Sequence, residues 1–195
     1  MDGSLRERKK TATRQALYEA VLRLAMAHGL DSVTVEAVAD EANVSRRTFS
    51  NYFANKEDAL LYGDKVRIQK LLDELRARPR TELPWQALRH SAAIRYRDLD
   101  KFDPKWMEQL QLFRRHPSVL AQQMAAQAAL ERELAIEIAA RATDGTGEPL
   151  RSRIMAATFV ATLRTALNVW VEEGGPTSLS EHIVEALDRA AEPFA

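Results

Sequence analysis

The stretch TVEAVADEANVSRRTFSNYFANKEDAL (34–60) constrains this chain more than any other, because it sets three helix starts and one sharp turn in register. Thr34 is an N-cap residue, and Glu36 falls in the first turn behind it, where a carboxylate complements the helix dipole. Val35, Val38, Ala39 and Ala42 make the apolar side of this helix. Ala39 is small enough for a second helix to cross at the ~90–120° of a helix-turn-helix. Asn43 stands where the chain turns, and Asn is the non-Gly residue that best accepts left-handed backbone. Val44 plugs the core beneath the turn.

Ser45 then caps a second short helix whose inward residues are Phe49 and, just beyond, Phe53. Arg46, Arg47, Thr48, Ser50, Asn51 and Tyr52 face outward. An Arg reads guanine bidentately, an Asn reads adenine, and hydroxyls contact base or phosphate, so this acid-free face suits a DNA groove. Asn55 caps the next helix and places Lys56 and the free N–H groups where a phosphate would sit. The bland alternative is an αα-turn in a bundle with ordinary polar faces. Against it stand three caps, a small residue at the crossing, a tolerant turn residue and the outward face, all in register.

Nearly all of the remaining sequence reads as helix, with no sustained period-2 alternation. Ala16, Leu17, Ala20, Val21, Leu24 and Ala25 form one stripe on a helix over about 6–28, stopped by Gly29. Further helices are expected over about 56–77, 85–99, 104–115, 117–142, 150–172 and 178–191, with TDGTGEP (143–149) the clearest break. The expectation is an all-α chain of about nine helices, an N-terminal three-helix DNA-binding domain followed by a helical bundle. The soft boundary lies near 60–72.

Charge follows the same division. The totals cancel, 28 basic against 28 acidic, but residues 1–18 hold Arg6, Arg8, Lys9, Lys10 and Arg14 against only Asp2 and Glu7. Residues 42–56 hold Arg46, Arg47 and Lys56 with no acid, whereas 117–195 carry six basic and eleven acidic side chains. Local positive charge attracts phosphate even when the total is zero. There is no cysteine, which excludes disulfides, thiolate zinc sites and thiol nucleophiles. No uninterrupted apolar run approaches the ~20 residues of a membrane span, and the basic N-terminus lacks a signal peptide's apolar stretch. A cytoplasmic protein without a membrane partner is expected.

The run V-S-R-R-T-F-S-N-Y-F-A-N-K-E-D-A-L (44–60) resembles the recognition helix and its sequel in TetR-type transcriptional regulators. T-V-E-A-V-A-D-E-A-N (34–43) resembles the first helix of that motif, and the resemblance extends over about 11–71. Asn43 replaces the family's usual Gly, and Ser50 stands where it most often has Tyr. The resemblance implies a DNA-binding domain at 11–71, with the motif at about 34–53, and an effector-binding and dimerisation domain at 72–195. It implies base or backbone contacts from Arg46, Arg47, Thr48, Asn51 and Tyr52, and phosphate contacts from Thr34, Ser45 and Lys56. Which Arg touches a base stays open.

In the C-terminal part, Trp85, Tyr96, Phe102, Trp106, Met107, Leu110, Phe113 and Met124 form an aromatic and Met set that either fills a core or lines a pocket. The resemblance implies an effector site there, for which Trp85, Phe102, Trp106, Leu110, Phe113 and Met124 are the candidates, for an apolar or amphipathic ligand. It also implies that the last two helices pair across a two-fold axis, with Phe159, Leu163, Trp170, Ile183 and Leu187 as candidate interface residues. The partners expected are therefore a palindromic double-stranded DNA operator, a second copy of the chain and a small effector that relieves repression.

The rival readings are a helical-bundle enzyme and a protein-interaction module without DNA binding. No His (28, 90, 116, 182) has Glu three residues before it, so the Glu-x-x-His pair of di-iron bundles is missing. The sole G-x-G, Gly145-Thr146-Gly147, lies in a polar loop and is no phosphate cradle. No catalytic residue, metal site or cofactor is expected.

Overall fold

The computed structural model describes residues 5–97, 107–108, 112, 116–141, 148–175 and 177–191, among which are nine α-helices and one 3₁₀ turn. Helix α1 (Leu5–His28) stops at Gly29, whose φ of +76° with ψ of 148° is a conformation that glycine alone adopts without strain. A 3₁₀ turn (Leu30–Ser32) leads into α2 (Val35–Glu41), α3 (Arg46–Tyr52), α4 (Lys56–Leu60) and α5 (Tyr62–Ala77). Then follow α6 (Pro84–Arg97), α7 (Pro117–Ala139), α8 (Pro149–Glu172) and α9 (Leu179–Ala191). The helix expected over 104–115 lies largely outside the described residues.

One expected helix, 56–77, is two. Leu61 interrupts it with φ −81° and ψ −1°, and its side chain is buried in the core at 3 % exposure. Two positions later Gly63 meets α1 so closely that a Cβ there would stand 2.8 Å from Tyr18 Cζ. Apolar spacing continues through the break, which is why the sequence reads as one helix.

The chain divides into two compact units, residues 1–66 with 108–123 and residues 67–107 with 124–195, so the division falls inside α5 and α7. The first unit is built around Leu17 and Val21 of α1, Val38 and Ala39 of α2, Phe49 of α3 and Leu60 of α4, each at most 1 % exposed. Burying Phe49 alone is worth about 2–3 kcal/mol. Phe53 links Phe49 to Tyr62 through ring contacts at 6.0 and 5.8 Å, and Tyr62 meets Tyr18 edge-on at 6.2 Å.

Val119, near the start of α7, is fully buried in this same core. Beside it His116 Nε2 lies 2.8 Å from Asp31 Oδ1, and Ser118 Oγ lies 2.6 Å from His116 Nδ1. The hydrogen bond from His116 holds the Asp31 carboxyl below its ordinary value. His116 and Val119 thus pack with the DNA-binding motif, although sequence reading assigned them to the C-terminal part. A single apolar residue at a helix start carries no sign of which core it enters.

In the second unit α9 packs on α6 and α8, burying Leu88, Phe159, Leu179, Ile183 and Leu187 at 0–1 % exposure. Trp85 sits edge-on to Phe159 with ring centroids 6.3 Å apart. Arg89 grips Asp188 through two guanidinium nitrogens, joining α6 to α9, and lowers the Asp188 pKa. Trp170 closes α8 by donating its indole N–H to Thr177 O at 2.9 Å.

Gly175 (φ +66°) passes beneath the Trp170 ring, where a Cβ would come within 2.8 Å of it. Helix α8 has the length and, in one window, the mean hydropathy (1.4) of a membrane span. It nevertheless carries Arg151, Arg153 and Arg164 and spends Met155, Phe159, Leu163 and Trp170 on the core.

The ends of α5 and α7 are clamped by charge. Arg141, 4 % exposed, donates to the carbonyls of Leu75, Arg78 (3.3 Å) and Pro79 (3.0 Å), where α5 ends. A cation there complements the dipole of α5, while burial pushes the guanidinium pKa down. In return Arg80 donates to Ala140 O at 2.9 Å, and Arg76 pairs with Glu137 at 2.7 Å.

Candidate nucleic-acid interface

The motif is assembled by local hydrogen bonds. Thr34 Oγ1 accepts from Ala37 N at 3.1 Å, Ser45 Oγ from Thr48 N at 3.1 Å, and Asn55 Oδ1 from Asp58 N at 2.7 Å. Each satisfies one of the orphan donors that a helix start exposes. Between α2 and α3 the backbone of Asn43 has φ +55°, and Val44 N donates to Ala39 O at 2.9 Å, which turns the chain back over Ala39. The geometry is that of a helix-turn-helix, with α3 as recognition helix.

On α3, Arg46, Arg47, Ser50 and Asn51 are exposed, and Thr48 and Tyr52 are half-buried. Arg46 Nη1 lies 3.0 Å from Glu36 Oε1 at the start of α2. The Thr48 hydroxyl is 2.9 Å from Ser45 Oγ, so these two side chains are engaged with each other and with the cap. Tyr52 lies under Arg14 of α1, whose guanidinium carbon is 5.4 Å from the ring centroid. An open groove of about 1040 Å³ runs between the two helices, lined by Leu5, Arg6, Glu7, Lys9 and Lys10 of α1 and by Thr48, Asn51 and Tyr52 of α3. Three cations against the one carboxylate of Glu7 leave that wall net positive, and with hydrogen-bonding side chains on the other it suits a phosphate backbone passing a base edge.

Lys56, for which a phosphate contact is expected, is hydrogen-bonded within the chain. Its Nζ donates to Leu30 O at 2.7 Å and Val33 O at 2.8 Å, with Asp31 O at 3.4 Å. Leu30 O already accepts from Val33 N at 3.1 Å, and the ammonium adds a charged donor to it and to Val33 O. It ties the loop between α1 and α2 to the start of α4.

In the second unit, Trp85 is core, 6 % exposed, whereas Met124 is 65 % exposed and lines no interior. Phe102, Trp106, Leu110 and Phe113 lie outside the described residues. Phe159, Leu163, Trp170, Ile183 and Leu187 are buried within the single chain. Their helical spacing identified an apolar face correctly as apolar, but α6 and the α8–α9 packing itself occupy it. Among the described residues no cluster of three or more His, Asp or Glu side chains is placed to hold a metal ion.

Sequence reasoning missed the partners of Arg46 and Tyr52. Glu36 and Arg46 belong to different helices, as do Arg14 and Tyr52, and only the crossing of those helices brings them together.

A capped helix-turn-helix with a basic, acid-free recognition helix defines a DNA-binding transcriptional regulator. Residues 17–62 match the model of the bacterial regulatory proteins of the tetR family, and residues 82–195 match the MftR C-terminal domain. The chain belongs to the TetR family and is a transcriptional regulator rather than an enzyme. It is 32% identical to the HTH-type transcriptional regulator TcmR of Streptomyces glaucescens over 172 residues, covering 85% of this chain and 76% of that protein.

Its fold is shared with the SmeT–triclosan complex, SmeT being a Stenotrophomonas maltophilia repressor (TM-score 0.65, 21% identity, 93% of this chain and 91% of that one). It is shared too with the Thermus thermophilus repressor FadR in complex with lauroyl-CoA (TM-score 0.59, 24% identity, 93% and 95%).

Proposed function

We propose that this chain is a cytoplasmic, ligand-responsive repressor that binds a palindromic operator as a homodimer. The observation that carries the DNA reading is the exposed face of α3, Arg46, Arg47 and Asn51, beside the Arg6–Lys10 wall of the groove. In this reading Arg46, Arg47 and Asn51 reach base edges, Tyr52 and the α1 cations meet the backbone, and Thr34 and Ser45 keep their caps while their exposed backbone faces the phosphates.

The two-fold contact falls on a different stripe from the buried set. Leu150 and Ile154 are 62 % and 48 % exposed on α8, Ala157 is exposed and Ala161 half-buried, all on one helical face. Small residues there let a partner helix approach closely. A C₂ pair presents two recognition helices, so the half-sites stand about 34–36 Å apart or a multiple of that.

The effector is apolar or amphipathic, a reading supported by the ligands of SmeT and FadR, triclosan and lauroyl-CoA, in proteins of the same fold. It releases DNA by binding the DNA-incompetent arrangement more tightly than the competent one.

Selection of the purified chain against randomised duplex, with sedimentation and footprinting, tests the reading. The expected result is a dimer protecting a palindrome. A monomer at micromolar concentration that protects one asymmetric half-site would overturn it. Lipophilic ligands titrated against tryptophan fluorescence and operator release test the sensor part; if none changes operator affinity, the effector reading fails.

A further inference from the structure

Arg46 and Arg47 are adjacent, both exposed and chemically identical, yet the structure treats them differently. Arg46 is the first residue of α3, the end of a recognition helix that reaches base edges, and its start is pinned by the Ser45 cap. Its guanidinium is held at 3.0 Å by Glu36, which comes from the first turn of α2. The ion pair is made through Nη1, and the Arg46 side chain stays 72 % exposed. A guanidinium engaged through one Nη still has its Nε and second Nη, two parallel donors in the pattern that matches O6 and N7 of a guanine.

We infer that Glu36 is a positioning residue for DNA recognition: it orients Arg46 to read one guanine per half-site, while Arg47 serves the phosphate backbone. This rests on the DNA-contact reading of α3 given above. An arginine loses much rotamer freedom when it grips a base, and a carboxylate that already holds it reduces that loss. The pair also explains why an acid is tolerated beside a surface that meets phosphates, since Arg46 neutralises it. Two simpler roles for Glu36 predict different outcomes. A carboxylate serving only the α2 dipole would affect stability and all DNA equally. A carboxylate masking Arg46 would weaken binding, so its removal would tighten it.

The test uses the full chain and the duplex selected from a randomised library, with single-position variants of that duplex and a scrambled one. Wild type, Glu36→Gln, Glu36→Ala, Arg46→Ala, Arg47→Ala and the Glu36→Ala/Arg46→Ala double variant are compared, each checked by thermal unfolding. Arg46→Ala is expected to weaken the selected duplex by roughly 5- to 100-fold and to erase the preference at one guanine per half-site. Glu36→Ala is expected to weaken binding several-fold at that same position and to leave the scrambled duplex unchanged. The double variant should be no worse than Arg46→Ala alone, and Arg47→Ala should weaken all duplexes and flatten the salt slope by about one.

Losses that multiply in the double variant would show independent action and overturn the inference. Equal tightening of every duplex by Glu36→Ala would show masking and overturn it too, as would equal weakening of every duplex. If Arg46→Ala changes nothing while Arg47→Ala relaxes a guanine position, it is the assignment of Arg46 to DNA that fails. If no duplex is selected at all, the DNA reading of α3 fails instead.

Discussion

The two units are held together over different distances in sequence. In the first, the caps of α2, α3 and α4 each link residues three apart, and the turn at Asn43 closes through residues three to five apart. In the second, Arg76 reaches Glu137 across 61 residues, Arg141 reaches Pro79 across 62, and Arg89 reaches Asp188 across 99. A recognition helix has to be presented at a set angle, and short-range hydrogen bonds set its start and the turn before it, while Val119 and His116 join that unit from farther along the chain. Long helices have few such devices, so their mutual arrangement depends on burial and on charged clamps at their ends.

The comparison is broken most severely at Arg141. Replacing it by Met removes a charged donor from three carbonyls, leaving Leu75 O and Pro79 O with one backbone donor each, and should destabilise the protein by about 3 kcal/mol in urea unfolding. Amide exchange should quicken first at the ends of α5 and α7. A loss below about 1 kcal/mol would mean that water replaces the guanidinium and that the clamp is dispensable.

Next comes Glu82, which accepts from Arg78 at 2.7 Å and contacts His90 Nδ1. The Arg78 hydrogen bond holds its carboxyl down to about 2, against burial, which acts to raise it. The folded value lies below the unfolded one. The stabilisation is therefore complete above about pH 4.5 and is lost as pH falls toward about 2. After allowance for its residual exposure this amounts to about 2 kcal/mol. Melting temperatures of wild type and Glu82→Gln should differ at pH 6 and converge near pH 2, and curves that run parallel would remove the pair from acid stability.

Lys56 sharpens the comparison, because it ties α4 to the loop before α2 over 23 to 26 residues. Lys56→Met should cost about 1.5 kcal/mol through the carbonyls of Leu30 and Val33. The salt dependence of DNA binding should keep its slope; a slope reduced by about one would return Lys56 to the phosphates. The smallest effect is expected at Asn43, whose φ of +55° Gly adopts without strain. Asn43→Gly should raise stability by about 0.5–1 kcal/mol with unchanged DNA affinity, and a loss would show that the Asn side chain contributes more than turn tolerance.

Legibility in the sequence followed the same division. Thr34, Ser45 and Asn55 were readable as caps because capping is a property of residue type and of a spacing of three. Asn43 was readable as the turn for an equally local reason. Phe159, Leu163, Trp170, Ile183 and Leu187 were readable as apolar, but not as the interior of one chain rather than a contact between two. Hydrophobic periodicity reports that a face is covered and is silent about what covers it. The break at Leu61 was hidden because an apolar residue in register with its neighbours continues the pattern even where the backbone does not.

The sequence by itself determined the helix-turn-helix, its outward face and its family, since these rest on capping, turn chemistry and residue order within a few tens of positions. Tertiary structure decided which groups on that face are engaged. Lys56 turned inward onto the carbonyls of Leu30 and Val33 in the preceding loop, and Arg46 gained Glu36 where α2 and α3 meet. Val119 went to the first core, and Arg141 to the end of α5, for the same physical reason. A side chain's partner is set by where two helices meet, and that point is a property of the packed chain rather than of either helix.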